Sequence, residues 1–246
     1  MNGLGIVAAL AAESRLLGPV RRAGEEPAAL ADGSLLIVSG MGPVAAGEGA
    51  RRLVAAGAQA LVSWGMAGGL DPALAAGTLV LPGEVVSPEG RLFLTARDWQ
   101  EQLRAAVTTA QAVCSGRLLT RSAPITSTAD KALAFRQTAA AAVDMESSAV
   151  AEVAAIHHLP FLAVRAIVDT AADALPRVAL MAAAAGTGRV RLGQLLGSLT
   201  RTPAELPDLI RLASRYRAAS HALAAVARSG ALAPVVTRRP ARSALP

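Results

Sequence analysis

Val143-Asp144-Met145-Glu146-Ser147, followed nineteen residues after Glu146 by Arg165-Ala166-Ile167-Val168-Asp169, decides the fold of this chain. Each stretch ends an apolar run with a carboxylate, where a buried strand would emerge from a sheet. In open α/β sheets the carboxyl ends of the strands form the crevice in which ligands bind. Two acids delivered to one crevice suit the cleavage of a sugar-to-base bond, one gripping hydroxyls and the other donating a proton.

Outward from these two motifs, short apolar runs alternate with helical patterns, which predicts a layered α/β domain. Strands are expected at 4–9, 34–39, 60–64, 78–81, 91–94, 117–120, 140–144 and 161–168. Helices are expected at 44–56, 99–113, 129–138, 147–157 and 179–185. Pro43 stands in the first turn of its helix, where a missing N–H does no harm. Gly65-Met66-Ala67-Gly68-Gly69 follows the third strand as a glycine-rich turn. From about Arg189 the pattern turns helical: Leu192, Leu195, Leu196 and Leu199 recur at helical spacing. After Thr202-Pro203, a stripe of Leu206, Leu209, Ile210, Ala213, Tyr216, Leu223 and Val226 has Arg211, Arg215 and Arg228 off it. The expected organisation is a catalytic-type domain over 1–188, a helical extension of the same domain over 189–233 and a disordered tail over 234–246.

Composition narrows the function classes. Hydrophobic residues make up 53% of the 246 residues but aromatics only 2%, so the core must be built from small aliphatic side chains. No apolar stretch reaches the ~18–20 residues of a membrane span. The first residues lack a basic n-region, and Glu13 interrupts the apolar stretch a secretion signal would need, so a cytoplasmic protein is expected. Cys114 is the single cysteine and excludes an internal disulfide. The net charge of +6 rests almost wholly on arginine, Lys131 being the only lysine. With one Tyr and three Phe there is no platform for stacking bases, which argues against nucleic acid as a partner. The C-terminal arginines remain compatible with peripheral contact to an anionic lipid surface.

Singly, the chemistry-bearing residues admit plain structural accounts. Glu146 could serve as the carboxylate of a helix N-terminus, Asp169 as a helix N-cap and Glu13 as a solvated charge. The glycine-rich run could cradle an anion or sugar, yet it matches neither the dinucleotide fingerprint nor the P-loop. His157 and His158 sit at a helix end without a third ligand at sensible spacing, so no metal site is expected.

Taken together and in order, four segments resemble the purine-nucleoside phosphorylase/uridine phosphorylase superfamily, particularly its 5′-methylthioadenosine/S-adenosylhomocysteine nucleosidase branch. They are residues 5–13 ending in Glu13, Ser39-Gly40-Met41-Gly42-Pro43-Val44-Ala45-Ala46, Gly65-Met66-Ala67-Gly68-Gly69-Leu70, and the opening pair of acidic motifs. The resemblance implies a three-layer α/β/α sandwich around a mixed sheet, working as a homodimer on a small-molecule nucleoside. It implies that Glu146, with Met145 beneath the sugar, holds the ribosyl hydroxyls, and that Asp169 protonates the leaving purine. Glu13 and Arg165 would position the attacking water. Apart from the resemblance, the glycine-rich run with Met66, Ala67 and Gly68 is expected along the sugar, and the segment Pro124-Ile125-Thr126, before Lys131, against the base. Asp169 must then hold a proton near neutral pH, and the apolar run 161–168 would supply the desolvation.

The chain departs from the nucleosidase branch at Met66 and Val168, where serine is usual. A closer resemblance is to the hopanoid-associated phosphorylases, or adenosylhopane nucleosidases. It rests on residues 65–74, Val143-Asp144-Met145-Glu146-Ser147 and Thr202-Pro203-Ala204-Glu205-Leu206-Pro207. It implies release of adenine from adenosylhopane, whose polycyclic 5′ substituent would fit a less polar pocket. No cofactor is implied beyond phosphate as a possible co-substrate. Ala11-Ala12-Glu13 stands where the hexameric phosphorylases carry a phosphate-binding arginine motif, and a carboxylate there favours hydrolysis. Arg21 and Arg22, in the next loop, are the cations that could reach in to serve phosphate instead.

Overall fold

Along three neighbouring strands the side chains divide strictly by parity: Leu4, Ile6 and Ala8, Ala60, Val62 and Trp64, and Leu162, Val164 and Ala166 pack into one core. Val7, Leu61, Phe161, Ala163 and Ile167 pack into a second. A strand buried on both faces produces this division, since successive side chains point to opposite sides. The computed structural model describes residues 3–18, 26–107, 111–175 and 206–233.

In chain order the first elements are β1 (Leu4–Ala8), α1 (Ala11–Ser14), β2 (Ala28–Ala29), β3 (Leu35–Val38), α2 (Pro43–Ala55), β4 (Ala60–Gly69), β5 (Leu79–Val80), β6 (Glu84–Val86) and β7 (Leu92–Leu94). There follow α3 (Arg97–Ala106), β8 (Val113–Cys114), β9 (Leu118–Thr120), α4 (Thr128–Thr138), β10 (Ala142–Asp144), α5 (Ser147–Ile156), β11 (Phe161–Asp169) and α6 (Leu206–Arg228). All eleven strands join one mixed sheet, whose main path runs β2-β3-β1-β4-β10-β9-β6-β7, with β11, β5 and β8 branching from β4. Helices α3 and α6 cover the first core and α2 and α5 the second. This is the expected three-layer α/β/α sandwich. Close approach of the layers depends on small residues: a Cβ on Gly49 of α2 would lie 3.1 Å from Ile37 Cγ2.

Three expectations are corrected. The third strand does not end at Trp64 in a turn. It continues through Gly69, because β11 stays in parallel register with it as far as Ala67. The helix expected over 99–113 ends at Ala106, before a β-branched run that disfavours helix, and Val113–Cys114 pairs with β5 instead. In α6 the buried face is Ala219, Ala222, Leu223 and Val226, whereas Ala213 and Tyr216 are exposed. The helices expected at 179–185 and 192–199, the tail 234–246, and Arg21 and Arg22 lie outside the described residues.

The branch at β4 creates the site. β1 pairs with β4 in parallel and stops at Ala8 opposite Trp64. Farther along the same edge β10 pairs antiparallel, Val143 opposite Gly68. The carboxyl ends of β1 and β10 therefore face each other across Gly65–Ala67. On the other edge β11 ends at Asp169, opposite Gly68.

Candidate active site

Each acid enters the gap from a different element. Glu13 comes from α1, the short turn after β1. Its Oε1 accepts from Met66 N (2.8 Å), and its Oε2 reaches back to Leu10 N (3.1 Å), tying the turn to β4. Glu13 is 5% exposed. Burial holds it above its ordinary value of 4.5, opposed by the nearby Arg165 charge. Gly65 is where Glu13 and Arg165 converge: a Cβ there would sit 2.7 Å from Glu13 Oε1 and 2.6 Å from an Arg165 nitrogen. Close approach and a φ of 156° both call for glycine here.

Glu146 occupies the N-cap position of α5 but caps nothing with its side chain. Its Oε1 accepts instead from Gly42 N, 3.0 Å away and 104 residues earlier in the chain. Gly42 has φ 94°, a conformation that favours glycine and turns its N–H toward the carboxylate. Burial first, and then the Asp144 charge, raise the Glu146 carboxyl to about 7. The charge that serves α5 is Asp144, whose Oδ2 accepts from Ser147 N at 3.0 Å.

Asp144 also anchors Arg165, whose guanidinium is 1% exposed. Nε lies 2.9 Å and Nη2 2.7 Å from Asp144 Oδ2. Nη2 also donates to Ser63 Oγ (2.7 Å) and Ser147 Oγ (3.1 Å), and stands 3.8 Å from Glu146. Thr120 completes the network by donating to Asp144 Oδ1 at 2.8 Å. Arg165 is thus a buried cation that links Asp144 to the two glutamates and stops short of the solvent.

Asp169 arrives by a bulge. The β4–β11 register shifts between Ile167 and Asp169, so Val168 is the extra residue and both Val168 and Asp169 border the cavity. Burial raises the Asp169 carboxyl above its ordinary 3.8, against the opposing pull of Lys131. Lys131 of α4 is fully buried and donates to Asp169 Oδ2, and also to the carbonyls of Thr170 (2.8 Å) and Asp173 (2.9 Å).

Glu13, Glu146 and Asp169 border one cavity of about 200 Å³. Met66, Ala67, Gly68, Met145 and Ile125 line it, together with Pro124, Val168, Leu175 and Met41. Arg165 is the expected site residue that does not reach the cavity wall; it stands behind Glu13 and Glu146. Sequence reasoning missed Asp144 as the partner of Arg165, and Lys131 as the partner of Asp169. Asp144 sat in the quoted motif, and Lys131 was visible as the only lysine. Neither carries a local pattern that names its partner. Among the described residues no cluster of His, Cys, Asp and Glu could hold a metal ion.

Residues 31–199, more than half of the chain, match the model of the phosphorylase superfamily. The chain belongs to that superfamily. Among curated proteins no sequence matches it. Its fold recurs in solved structures of low identity. Futalosine hydrolase of Helicobacter pylori aligns at 16% identity over 92% of this chain and 97% of that one, with TM-score 0.66. A 5′-methylthioadenosine/S-adenosylhomocysteine nucleosidase from Colwellia psychrerythraea, in complex with adenine, aligns at 20% identity over 93% and 95%, with TM-score 0.65. An S-adenosylhomocysteine nucleosidase from Streptococcus pyogenes, in complex with 5-methylthiotubericidin, aligns at 23% identity over 69% and 84%, with TM-score 0.59. Within the phosphorylase superfamily, then, this chain carries the three-layer fold with four carboxylates, Glu13, Asp144, Glu146 and Asp169, around one cavity.

Proposed function

We propose that this member of the phosphorylase superfamily hydrolyses the bond between ribose and adenine in a nucleoside with a large apolar 5′ substituent. The substrate in view is adenosylhopane, and the products are adenine and a ribosyl-hopane for hopanoid biosynthesis. The observation that carries the reading is the joint lining of one cavity by Glu13, Glu146 and Asp169 with Met41, Met66 and Met145. The fold neighbours named for nucleosidase and hydrolase activities, one of them holding adenine, support the same bond class.

The chemistry follows from where charge develops. As C1′–N9 breaks, the bonding pair leaves with adenine and the ribose becomes cationic. Glu146 accepts hydrogen bonds from the ribosyl hydroxyls and steadies that cation, while Asp169 gives its proton to N7 of the leaving base. Glu13 takes a proton from the water that attacks C1′. Arg165, behind Glu13 and Glu146, holds the carboxylates in place. Glu13 would repel phosphate at that spot, so water is the nucleophile and no cofactor is required.

Three of the chain's five methionines line the cavity, an adaptable apolar wall suited to a bulky 5′ group. The cavity takes the nucleoside end, and the polycycle extends past Met41 toward Val44, which is 84% exposed. The protein works in the cytoplasm as a homodimer, and the exposed arginines of α6 rest against the membrane that supplies the lipid. Among the described residues no helix is long and apolar enough to cross a membrane. The alternative reading, a methylthioadenosine/adenosylhomocysteine nucleosidase, draws on the fold neighbours. Met66 opposes it. Purified protein incubated with adenosylhopane or methylthioadenosine, each with and without phosphate, decides between them. Adenine from adenosylhopane without phosphate is expected; release from methylthioadenosine alone would return the chain to the alternative.

A further inference from the structure

Lys131 is the one lysine of the chain and is fully buried. Burying an ammonium is costly unless it is paired and hydrogen-bonded. Here all three of its protons have acceptors: Asp169 Oδ2 and the carbonyls of Thr170 and Asp173. The three acceptors lie within one tight turn. Asp173 N donates back to Thr170 O (3.0 Å), and Asp173 Oδ2 accepts from Thr170 N (2.9 Å) and Thr170 Oγ1 (2.7 Å). The outer face of that turn is clamped by α6, through Arg215 Nη2 at 2.8 Å from Asp173 Oδ1. A continuous chain of contacts therefore joins the C-terminal helix to the carboxyl of Asp169.

We propose that Lys131, braced by the Asp173–Arg215 pair, positions Asp169 with Oδ1 toward the base and stabilises the negative charge that grows on Asp169 as it gives up its proton. The inference rests on the assignment of Asp169 as the general acid. Its physical content is charge complementarity during the step: the O–H bond of Asp169 breaks, N7 gains the proton, and the electron pair stays on a carboxylate already facing a fixed ammonium. A preorganised cation in a buried site acts far more strongly there than in water. Asp169 is faced by Lys131 from α4, Asp173 from its own turn, Arg215 and Arg211 from α6, and Glu13, Asp144 and Glu146 across the cavity. Lys131 is the only one of these whose contact with Asp169 is direct among the described residues.

The test is the pH profile of adenine release by full-length protein carrying Lys131→Met or Arg215→Gln. Without Lys131 the acid is weaker, so the basic limb of kcat is expected to move up by about one pH unit, as removal of an adjacent opposite charge requires. Its plateau should fall about tenfold or more, within the range a general acid contributes, with KM little changed. Arg215→Gln, a change at a partly exposed side chain, should move the limb in the same direction by less. A merely structural role for Lys131 lowers the active fraction and leaves the limb in place, which overturns the proposal. Should Lys131→Met fail to fold, the Arg215→Gln profile decides: an unmoved limb overturns it equally. Asp169→Asn separates the two levels. Full activity in that variant removes the assignment of Asp169 itself. An inactive Asp169→Asn beside unmoved limbs in the other variants removes only the role of Lys131.

Discussion

Two nitrogens of Arg165 converge on one oxygen of Asp144, Nε at 2.9 Å and Nη2 at 2.7 Å from Oδ2, in a site where both side chains are almost fully buried. Removing the negative partner leaves the buried guanidinium with only the more distant carboxylates of Glu146 and Glu13 to offset it, and breaking a buried pair costs about 3–5 kcal/mol. Asp144→Asn is therefore expected to lower the melting temperature by on the order of 10 °C and to loosen Glu13 and Glu146 together. Calorimetry on the variant checks this, and a melting temperature within a degree or two of the parent would contradict it.

Asp169→Asn keeps the shape of the side chain and removes its transferable proton. Adenine release should drop about 10²–10⁴-fold, the usual contribution of a general acid, while affinity for the nucleoside stays near that of the parent. Single-turnover assays beside equilibrium binding separate the two. Loss of binding with an unchanged chemical step would show that Asp169 holds the base without protonating it.

Glu13 sits in the place proposed for water activation. Because burial raises its carboxyl above 4.5, the acid limb of kcat/KM is expected above the ordinary glutamate range. Glu13→Gln should cut hydrolysis by about 10²-fold or more. Near-normal turnover of that variant with phosphate present would show that water activation is not its task.

Glu146 trades stability for its position. Its carboxyl is raised from 4.5 to about 7, so the folded state favours the protonated form. That contribution to stability is complete below pH 4.5 and is lost as pH rises through about 7. Glu146→Gln carries no charge at any pH. It should melt several degrees above the parent at pH 8 and converge with it near pH 4.5, while losing most activity. Identical melting differences at both pH values would exclude a buried titration at this residue.

Much of the frame is legible in the sequence. β1, β3, β9, β10, β11, α2, α4 and α5 fall within a residue or two of the expected spans, because doubly buried strands read as short continuous apolar runs and half-buried helices display a 3.6-residue period. The strands β2, β6 and β8 are not legible: Ala28–Ala29 carries no strand signal, Glu84 opens β6 with a charge, and Val113–Cys114 continues a helical pattern. The glycine-rich run reads as a turn in sequence because glycine serves equally for positive φ and for close approach. At Gly65 the near neighbours are side chains from residues 13 and 165, distant in sequence.

The amino-acid sequence by itself determined the layered class of fold, the family resemblance and the identity of the three acids, since each follows from local order and composition. Only the tertiary structure decided their partners. Glu146 meets the N–H of Gly42, Arg165 meets Asp144, and Asp169 meets Lys131. These pairings are set by where β4 exchanges β1 for β10 along one edge and where β11 bulges on the other. They join residues 21 to 104 positions apart, a range over which no short-range pattern in a chain records what burial will force together.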